Sequence, residues 1–134
     1  MIVTLSVLLI ITAIGMIYYW ADFFIRGTVQ LIKEDWYIKF ERAFAPADLW
    51  TSVCALLGAA GLLTGETYGL VFALITAGSL LFLAFMDVTF NIQNKLYPLV
   101  ATSNQMRFEV LINVWTLAVG VALIVLLWPR VALL

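Results

Sequence analysis

The sequence predicts an all-α membrane protein, a four-span transmembrane helix bundle of up-down-up-down topology with a short interfacial amphipathic segment. Hydrophobic residues make up 65% of the 134-residue chain, and charged residues make up 11%. A soluble domain is about half apolar and about a quarter charged. Four apolar stretches, at about 2–20, 46–63, 68–90 and 110–128, are long enough to span, since a spanning helix needs roughly 20 residues. We therefore expect a single integral membrane domain over residues 1–134.

The first apolar stretch is predicted to be a retained helix rather than a signal peptide. It has no basic segment before it and no small-x-small cleavage site before Asp22. Residues three and four apart share a helix face, which predicts this buried stripe on the first span: Thr4, Leu8, Ile11, Gly15, Tyr18 and Asp22. Asp22 and Arg26 are four residues apart, so an ordinary interfacial ion pair is an alternative role for this acid.

The segment from residue 27 to residue 45 is too long for a simple turn and has an amphipathic pattern. Its aromatic residues recur at helical spacing: Trp36, Tyr37, Phe40 and Phe44. This pattern predicts a short helix in the cytoplasmic interface, with Trp36, Phe40 and Phe44 facing lipid or the bundle. Lys33 and Glu41 are expected to face water. The alternative is a basic loop that carries aromatic residues by chance.

The second span begins with a proline and ends in a tight turn. Pro46 suits the first turn of a helix, where its missing N–H is tolerated. Asp48 follows in the same turn, where the simplest interpretation is a structural carboxylate that satisfies free N–H groups. The turn at residues 64–67 predicts that spans two and three are antiparallel neighbours. Gly61 and Gly65 form a GxxxG motif, which indicates close helix packing either within the chain or in a dimer.

Asp87 is the most informative ionisable residue, because it follows an apolar run within the third span. An ionisable side chain at that depth is costly and by default marks a functional site. It lies late in its helix, where the helix dipole disfavours an anion. Asn91 and Asn94 continue its face, so the helix is expected to run to about Lys95. The alternative is a buried acid that pins spans three and four together.

The basic residues predict the orientation of the chain in the cell membrane. Six of the seven fall in the loops between spans one and two and between spans three and four. The positive-inside rule then places both long loops in the cytoplasm and both termini outside. This topology brings polar residues from all four spans to one leaflet as a candidate ligand-binding cluster at the cytoplasmic mouth: Asp22, Asp48, Asp87, Glu109, Asn91 and Asn113.

Carboxylates and amides without any histidine suit a limited range of chemistry. They bind hard cations through oxygen, hold a proton, pair with an amine or hydrogen-bond a polar lipid head group. Di-iron bundles need Glu-x-x-His pairs, and no His is present. No hydrolase, metalloprotease or phosphate-loop motif occurs, and the single Cys54 offers no metal site. No metal and no cofactor are therefore expected, and the net charge of −1 gives no reason to expect nucleic acid.

Two short strings resemble the emopamil-binding and sigma-2-receptor-like family of small membrane proteins. These are Phe85-Met86-Asp87-Val88 and Leu96-Tyr97-Pro98, and Asp48 between Pro46 and Trp50 is similar to another family acid. The resemblance implies a small helical bundle that binds sterols or cationic amphiphiles around intramembrane acids. The histidines that the family's isomerases use are absent, so it implies ligand binding rather than isomerisation.

The leading hypothesis from the sequence is a cytoplasm-facing acidic pocket that binds a lipidic or cationic ligand. One alternative is a small oligomeric transporter or channel that moves a proton or cation past Asp87 and Glu109. A second alternative is a non-catalytic partner subunit that packs against a larger complex through Gly61 and Gly65. Catalysis on lipid with Asp87 and Glu109 as an acid/base pair has no positive argument. The expected partners are membrane lipid, a lipidic or cationic small molecule and, in the transporter hypothesis, further copies of the chain.

Overall fold

Five α-helices and one short 3₁₀ helix make up the protein. The computed structural model describes residues 1–134, and it contains no strand. The helices are α1 (Ile2–Ile25), α2 (Asp35–Arg42), α3 (Ala45–Thr64), α4 (Thr67–Gln93) and α5 (Asn104–Val131), with the 3₁₀ helix at Tyr97–Ala101. Four helices are long and apolar enough to cross a membrane when α2 and α3 are taken together. The prediction of an all-α protein with four apolar helices is confirmed.

The helices extend beyond the predicted spans at their polar ends. α1 continues to Ile25, and α5 begins at Asn104. Hydropathy marks the apolar part of a helix, whereas capping residues mark its ends. Ser103 caps α5, because its Oγ accepts a hydrogen bond from the N–H of Met106 at 3.2 Å. α4 ends at Gln93, slightly before the predicted end at Lys95. Lys95 cannot continue the helix, because its φ of 54° lies in the left-handed region.

The four long helices pack as an open series rather than as a closed ring. α1 packs along α3, α3 packs along α4, and α4 packs along α5. α1 and α5 form no comparable interface. A cleft between α1 and α5 opens beside residues 11–20 and 108–116, in the half that carries the loops. In the half that carries the termini, buried residues of both helices share one apolar core.

α3 and α4 approach each other most closely at two glycines. A Cβ atom added at Gly61 would lie 2.4 Å from the Cα of Gly69, so neither position has room for a side chain. Gly65 has a φ of 75° and ends α3 in the left-handed conformation. Both glycines of the GxxxG motif thus have roles within the chain, one in helix packing and one in the turn.

Helical spacing also predicts a buried stripe on each of the other three spans: Asp48, Ser52, Ala55 and Ala59; Gly69, Ala73, Thr76, Leu80, Leu83, Asp87, Asn91 and Asn94; Glu109, Asn113, Thr116 and Gly120. In the structure these residues are buried on α3, α4 and α5, except that the three acids are half-buried and Asn94 is exposed. The predicted stripe on α1 is wrong apart from Asp22, because Thr4, Ile11, Gly15 and Tyr18 are exposed and Leu8 is half-buried. The buried face of α1 carries Leu5, Leu9, Thr12, Ala13 and Trp20 instead. Small or weakly polar residues occur on both faces of α1, with Ser6, Thr12 and Ala13 buried and Thr4 and Gly15 exposed, so their spacing does not identify the buried face.

α2 leads directly into α3, because Ala43 and Phe44 between them keep right-handed helical dihedrals. Tyr37 is 2% exposed and packs with Leu96 and Met106 in a small apolar cluster. Lys33 is exposed as expected, but the prediction that Glu41 faces water is wrong, since Glu41 is 8% exposed. Glu41 lies one turn after Tyr37, on the face of α2 that turns into the protein.

Candidate functional site

A cavity of about 390 Å³ lies between α1, α4 and α5, next to the junction of α2 and α3. Its size is near the lower end for small-molecule sites, which are about 300–1,000 Å³. Ten of its lining residues are hydrophobic, in most cases long aliphatic or aromatic side chains: Ile11, Met16, Tyr19, Trp20, Phe44, Leu83, Phe108, Leu111, Ile112 and Trp115. The cavity walls therefore suit an apolar or aromatic body.

Four carboxylates from four different helices line the same cavity. They are Glu41 of α2, Asp48 of α3, Asp87 of α4 and Glu109 of α5. The side chains are close enough for their charges to act on one another. No Lys or Arg lines the cavity, and the two ion pairs of the protein, Asp22–Arg26 and Asp35–Lys39, lie elsewhere. The cavity thus holds four acids without a basic partner.

Two of the four carboxylates are held by aromatic donors on α1. The indole Nε1 of Trp20 donates a hydrogen bond to Oδ2 of Asp48 at 2.7 Å. The hydroxyl of Tyr19 donates to Oε2 of Glu41 at 3.3 Å. Asp48 lies in the first turn of α3, as predicted, but no backbone N–H of that turn donates a hydrogen bond to its carboxylate. Its side chain instead connects α3 to α1 at the cavity wall.

Asp87 and Glu109 are the two cavity acids that form no ion pair and no direct side-chain hydrogen bond. The carboxylate of Asp87 is half-buried. Glu109 lies next to it across the α4–α5 contact, with the amides of Asn91 and Asn113 beside Glu109. Asp87 is therefore the carboxylate whose hydrogen-bonding capacity is most available to a molecule in the cavity.

The two asparagines stand behind the cavity rather than on its wall. Asn91 Nδ2 donates to Asn113 Oδ1 at 3.2 Å, and the hydroxyl of Tyr97 donates to the same oxygen at 2.7 Å. The amide nitrogen of Asn113 is buried without a hydrogen-bond partner. These contacts tie α4, the 3₁₀ helix and α5 together behind Glu109. A direct ligand contact for Asn91 and Asn113 stays a prediction.

Asp22 lies outside the cavity and has a complete set of protein partners. Its Oδ1 is 3.0 Å from the Nε of Arg26, and it accepts hydrogen bonds from the hydroxyl of Thr28 and the N–H of Val29. The side chain is fully enclosed by the loop that follows α1. The alternative role predicted for Asp22, an ion pair with Arg26, is the one that the structure contains.

Glu41 is the cavity acid that the sequence does not predict, because the amphipathic pattern of residues 27–45 places it on a water-facing surface. A signal for it is present in the spacing of Tyr37, Glu41, Phe44 and Asp48, which follow one another at intervals of four, three and four residues. That spacing places all four on one helical face across the α2–α3 junction. The aromatic donors Tyr19 and Trp20 were missed because they interact across the chain, which no local spacing reveals.

The four acids do not form a metal centre. No group of three His, Cys, Asp or Glu side chains converges as ligands of one ion would. A hard cation such as Ca²⁺ takes six to eight oxygen ligands at short distances. The arrangement is instead that of separate carboxylates around the polar end of an apolar cavity.

Asp87 of the first resemblance string lines the cavity, and Leu96 of the second is buried below α2. Comparison of the chain with protein families, curated proteins and solved structures finds no match. The resemblance to the emopamil-binding and sigma-2-receptor-like family accordingly stays a prediction from two short strings.

Proposed function

We propose that this protein is a small integral membrane protein whose acidic cavity binds a lipidic, cationic ligand, an amine with an apolar body. The observation that carries this proposal is the set of four carboxylates in an otherwise apolar and aromatic cavity with no basic residue on its wall. Charge complementarity favours a cation, and the remaining wall favours a hydrophobic body.

The energetic argument concerns carboxylates that have no positive partner. Taking a charge out of water costs several kcal/mol unless a counter-charge or hydrogen bonds compensate. Asp48 and Glu41 receive hydrogen bonds from Trp20 and Tyr19, but Asp87 receives none. An ammonium group beside Asp87 would supply the missing partner. Trp and Tyr rings also attract cations through their faces.

An organic cation suits the cavity better than a metal ion does. The acids do not converge as metal ligands, and the rings of Trp115 and Phe108 line the same space. A metal ion would leave these apolar walls without a partner, whereas an alkyl or aromatic body would be buried against them.

We further propose that the four long helices cross the membrane in an up-down-up-down order. Paired contacts support antiparallel neighbours, because Gly58 lies against Ala73 while Gly61 lies against Gly69. On the next pair, Asn91 meets Asn113 and Leu81 meets Gly120. In this arrangement α2 lies in the interface at the loop end, and the positive-inside rule makes that end cytoplasmic.

Transport of a proton or cation is the second function that the sequence analysis left open, and no specific observation favours it. A pathway would have to continue from the acids to the end of the bundle that carries the termini. The half of the bundle near the termini is an apolar core whose fully buried side chains include Leu9, Leu80, Leu123 and Leu127. This packed half gives no support for a path through a single copy of the chain.

The proposed function is tested by blocking the cavity at a glycine. A Cβ added at Gly15, on the cavity wall, would meet no atom within 4 Å. Gly15→Leu should extend a side chain into this space and weaken the binding of dodecylamine at least tenfold, or about 1.4 kcal/mol. The measurement is ¹⁹F NMR of 5-fluorotryptophan-labelled protein in phosphatidylcholine nanodiscs, because Trp20 and Trp115 line the cavity and Trp128 does not.

Gly78→Leu is the matched control, since Gly78 of α4 also has open space around its Cβ position but lies outside the cavity. It should leave the amine titration unchanged. Dodecanol, which has the same chain without the charge, should bind much more weakly than dodecylamine. Equal binding of the alcohol and the amine, or equal effects of the two leucines, would contradict the proposed function.

A further inference from the structure

The cavity is exposed to its surroundings through the cleft between α1 and α5. The exposed residues among its apolar lining lie on those two helices: Ile11 is 48% exposed, Leu111 is 60% exposed and Phe108 is 38% exposed. The lining residue of α4, Leu83, is 6% exposed and forms the back wall. The opening therefore faces sideways, toward the lipid, if the long helices span the membrane.

The other directions are closed by packed side chains. At the loop end, Glu41 and Phe44 form part of the wall, and Tyr37 is buried beside them. At the opposite end, Leu9 and Leu123 are fully buried in the apolar core. A ligand that approached along the bundle axis would have to displace one of these two layers.

Few contacts hold the cleft together. The indole Nε1 of Trp115 donates to the hydroxyl of Thr12 at 2.9 Å, which is the one hydrogen bond between α1 and α5. The rings of Tyr19 and Phe108 stack across the cleft with centroids 6.5 Å apart. Neither contact belongs to a close helix–helix interface at the cavity, since α1 and α5 form no interface comparable to the other helix pairs.

The cavity is polar at one end and apolar at the other. Its acids lie toward the loops, whereas Trp115 and Thr116 lie farther along α5. From Glu109 to Thr116 the helix rises by about 10 Å at 1.5 Å per residue. A lipid in the leaflet on the loop side has the same orientation, with its head group toward the loops and its chain toward the bilayer centre.

We infer that the ligand is a single-chain membrane amine that enters sideways through the α1–α5 cleft from the leaflet on the loop side. Its ammonium group lies among the acids, and its chain passes through the cleft and stays in contact with lipid. This inference rests on the proposed function and adds the ligand class and the route. The amine can enter without turning over, because the polar end of the cavity and the head groups of this leaflet both lie toward the loops.

The route predicts how affinity depends on chain length. A cavity of about 390 Å³ holds the head group and the adjoining part of a long chain. The remainder lies in lipid both before and after binding, so added methylenes change its environment little. A closed cavity would instead exclude chains above a length limit.

The test is a titration of nanodisc-embedded protein with octylamine, dodecylamine and hexadecylamine. The ¹⁹F signals of Trp20 and Trp115 report binding, and concentrations are expressed as mole fractions in the membrane. All three amines should saturate the cavity with dissociation constants within about tenfold of one another. Saturation by octylamine but not by hexadecylamine would overturn the sideways route and leave the proposed function standing. Saturation by none of them would overturn both.

A measurement without ligand separates the two proposals further. A nitroxide label is placed at Gly15→Cys, at Gly78→Cys and at Glu66→Cys in a Cys54→Ala background. The label at Gly15 should resemble the exposed label at Gly78 of α4, with frequent collisions with oxygen and few with a water-soluble nickel chelate. Collisions like those of the label at Glu66, in the turn between α3 and α4, would mean that water fills the cavity mouth, and would overturn access from lipid.

Discussion

At the scale of single residues, Asp22 and Asp87 show how one side-chain type serves different purposes in one protein. Asp22 is 2% exposed, and its carboxylate is matched by Arg26, Thr28 and Val29. Asp87 is half-buried on a cavity wall and has no hydrogen-bond donor or cation from the protein. The sequence places both near a membrane interface. The four-residue spacing of Asp22 and Arg26 predicts their ion pair. The hydrogen bonds from Thr28 and Val29 come from the loop after α1, and no helical spacing encodes them or the missing partner of Asp87.

These environments predict opposite effects for the same substitution. Asp87→Asn removes a charge that has no partner, so it should keep or raise the thermal stability of the protein. The same change should lower dodecylamine affinity by at least about tenfold, which corresponds to 1.4 kcal/mol. Asp22→Asn should cost about 1–3 kcal/mol of stability, because it weakens hydrogen bonds to a buried charged group, and should leave amine binding unchanged. Thermal unfolding and ¹⁹F titration of both variants provide the measurements.

An Asp87→Asn variant that is more stable and binds dodecylamine as the wild type does would assign Asp87 to helix packing alone. The Asp22→Asn variant is the control for unfolding, because a general loss of structure would lower dodecylamine binding in both variants. Loss of binding in Asp22→Asn at a temperature where it remains folded would place Asp22 in the site after all.

At the scale of helices, the pair α3 and α4 depends on glycines that admit close contact. Gly61→Ala would place a methyl group against the backbone of Gly69, and a clash with backbone cannot be relieved by a rotamer change. Overpacking of this kind costs about 1–3 kcal/mol. Gly78→Ala on α4 is the matched control, because its added Cβ meets no atom within 4 Å. Thermal unfolding should show a lower Tm for Gly61→Ala and an unchanged or higher Tm for Gly78→Ala.

An equal Tm for the two alanine variants would mean that α3 and α4 separate easily, and that their contact is not a main source of stability. A dimer that is lost in Gly61→Ala but retained in Gly78→Ala would instead indicate that this glycine also contacts a second copy. Size-exclusion chromatography with light scattering distinguishes these outcomes.

The helices differ in how far the sequence predicts their buried faces. On α4, Ala73, Thr76 and Leu80 combine small and weakly polar residues at helical spacing, and this face is buried. The buried face of α1 carries the same kind of residues, Ser6, Thr12 and Ala13, but the predicted stripe followed Thr4 and Gly15, which are exposed. Small and weakly polar residues occur on both faces of α1, so their spacing alone does not identify the buried face.

At the scale of the whole molecule, the fold class followed from composition, but the cavity did not. Three of the predicted site acids, Asp48, Asp87 and Glu109, do line one cavity. The fourth acid of the cavity, Glu41, comes from α2, whose burial depends on contacts with α1, α4 and α5. The open cleft between α1 and α5 is likewise a property of helix order in space. Local sequence patterns contain neither of these long-range relations.

Orientation in the membrane is the last whole-molecule property that can be tested. Lys33 lies in the connection between α1 and α2, and Glu66 lies in the turn between α3 and α4. α3 separates the two positions, so they lie on opposite sides of the membrane if α3 spans it. Six of seven basic residues fall in the two longer connections, which predicts that Lys33 is cytoplasmic and that Glu66 and both termini are outside.

Single cysteines at Lys33 and Glu66, introduced into a Cys54→Ala variant, make this prediction measurable on intact cells. A membrane-impermeant maleimide should label Glu66→Cys directly and Lys33→Cys after the cells are opened. The reverse pattern would invert the orientation, and the acids of the cavity would then lie toward the outer leaflet. Labelling of both cysteines before lysis would mean that α3 does not span the membrane, which would also remove the lipid on which access through the α1–α5 cleft depends.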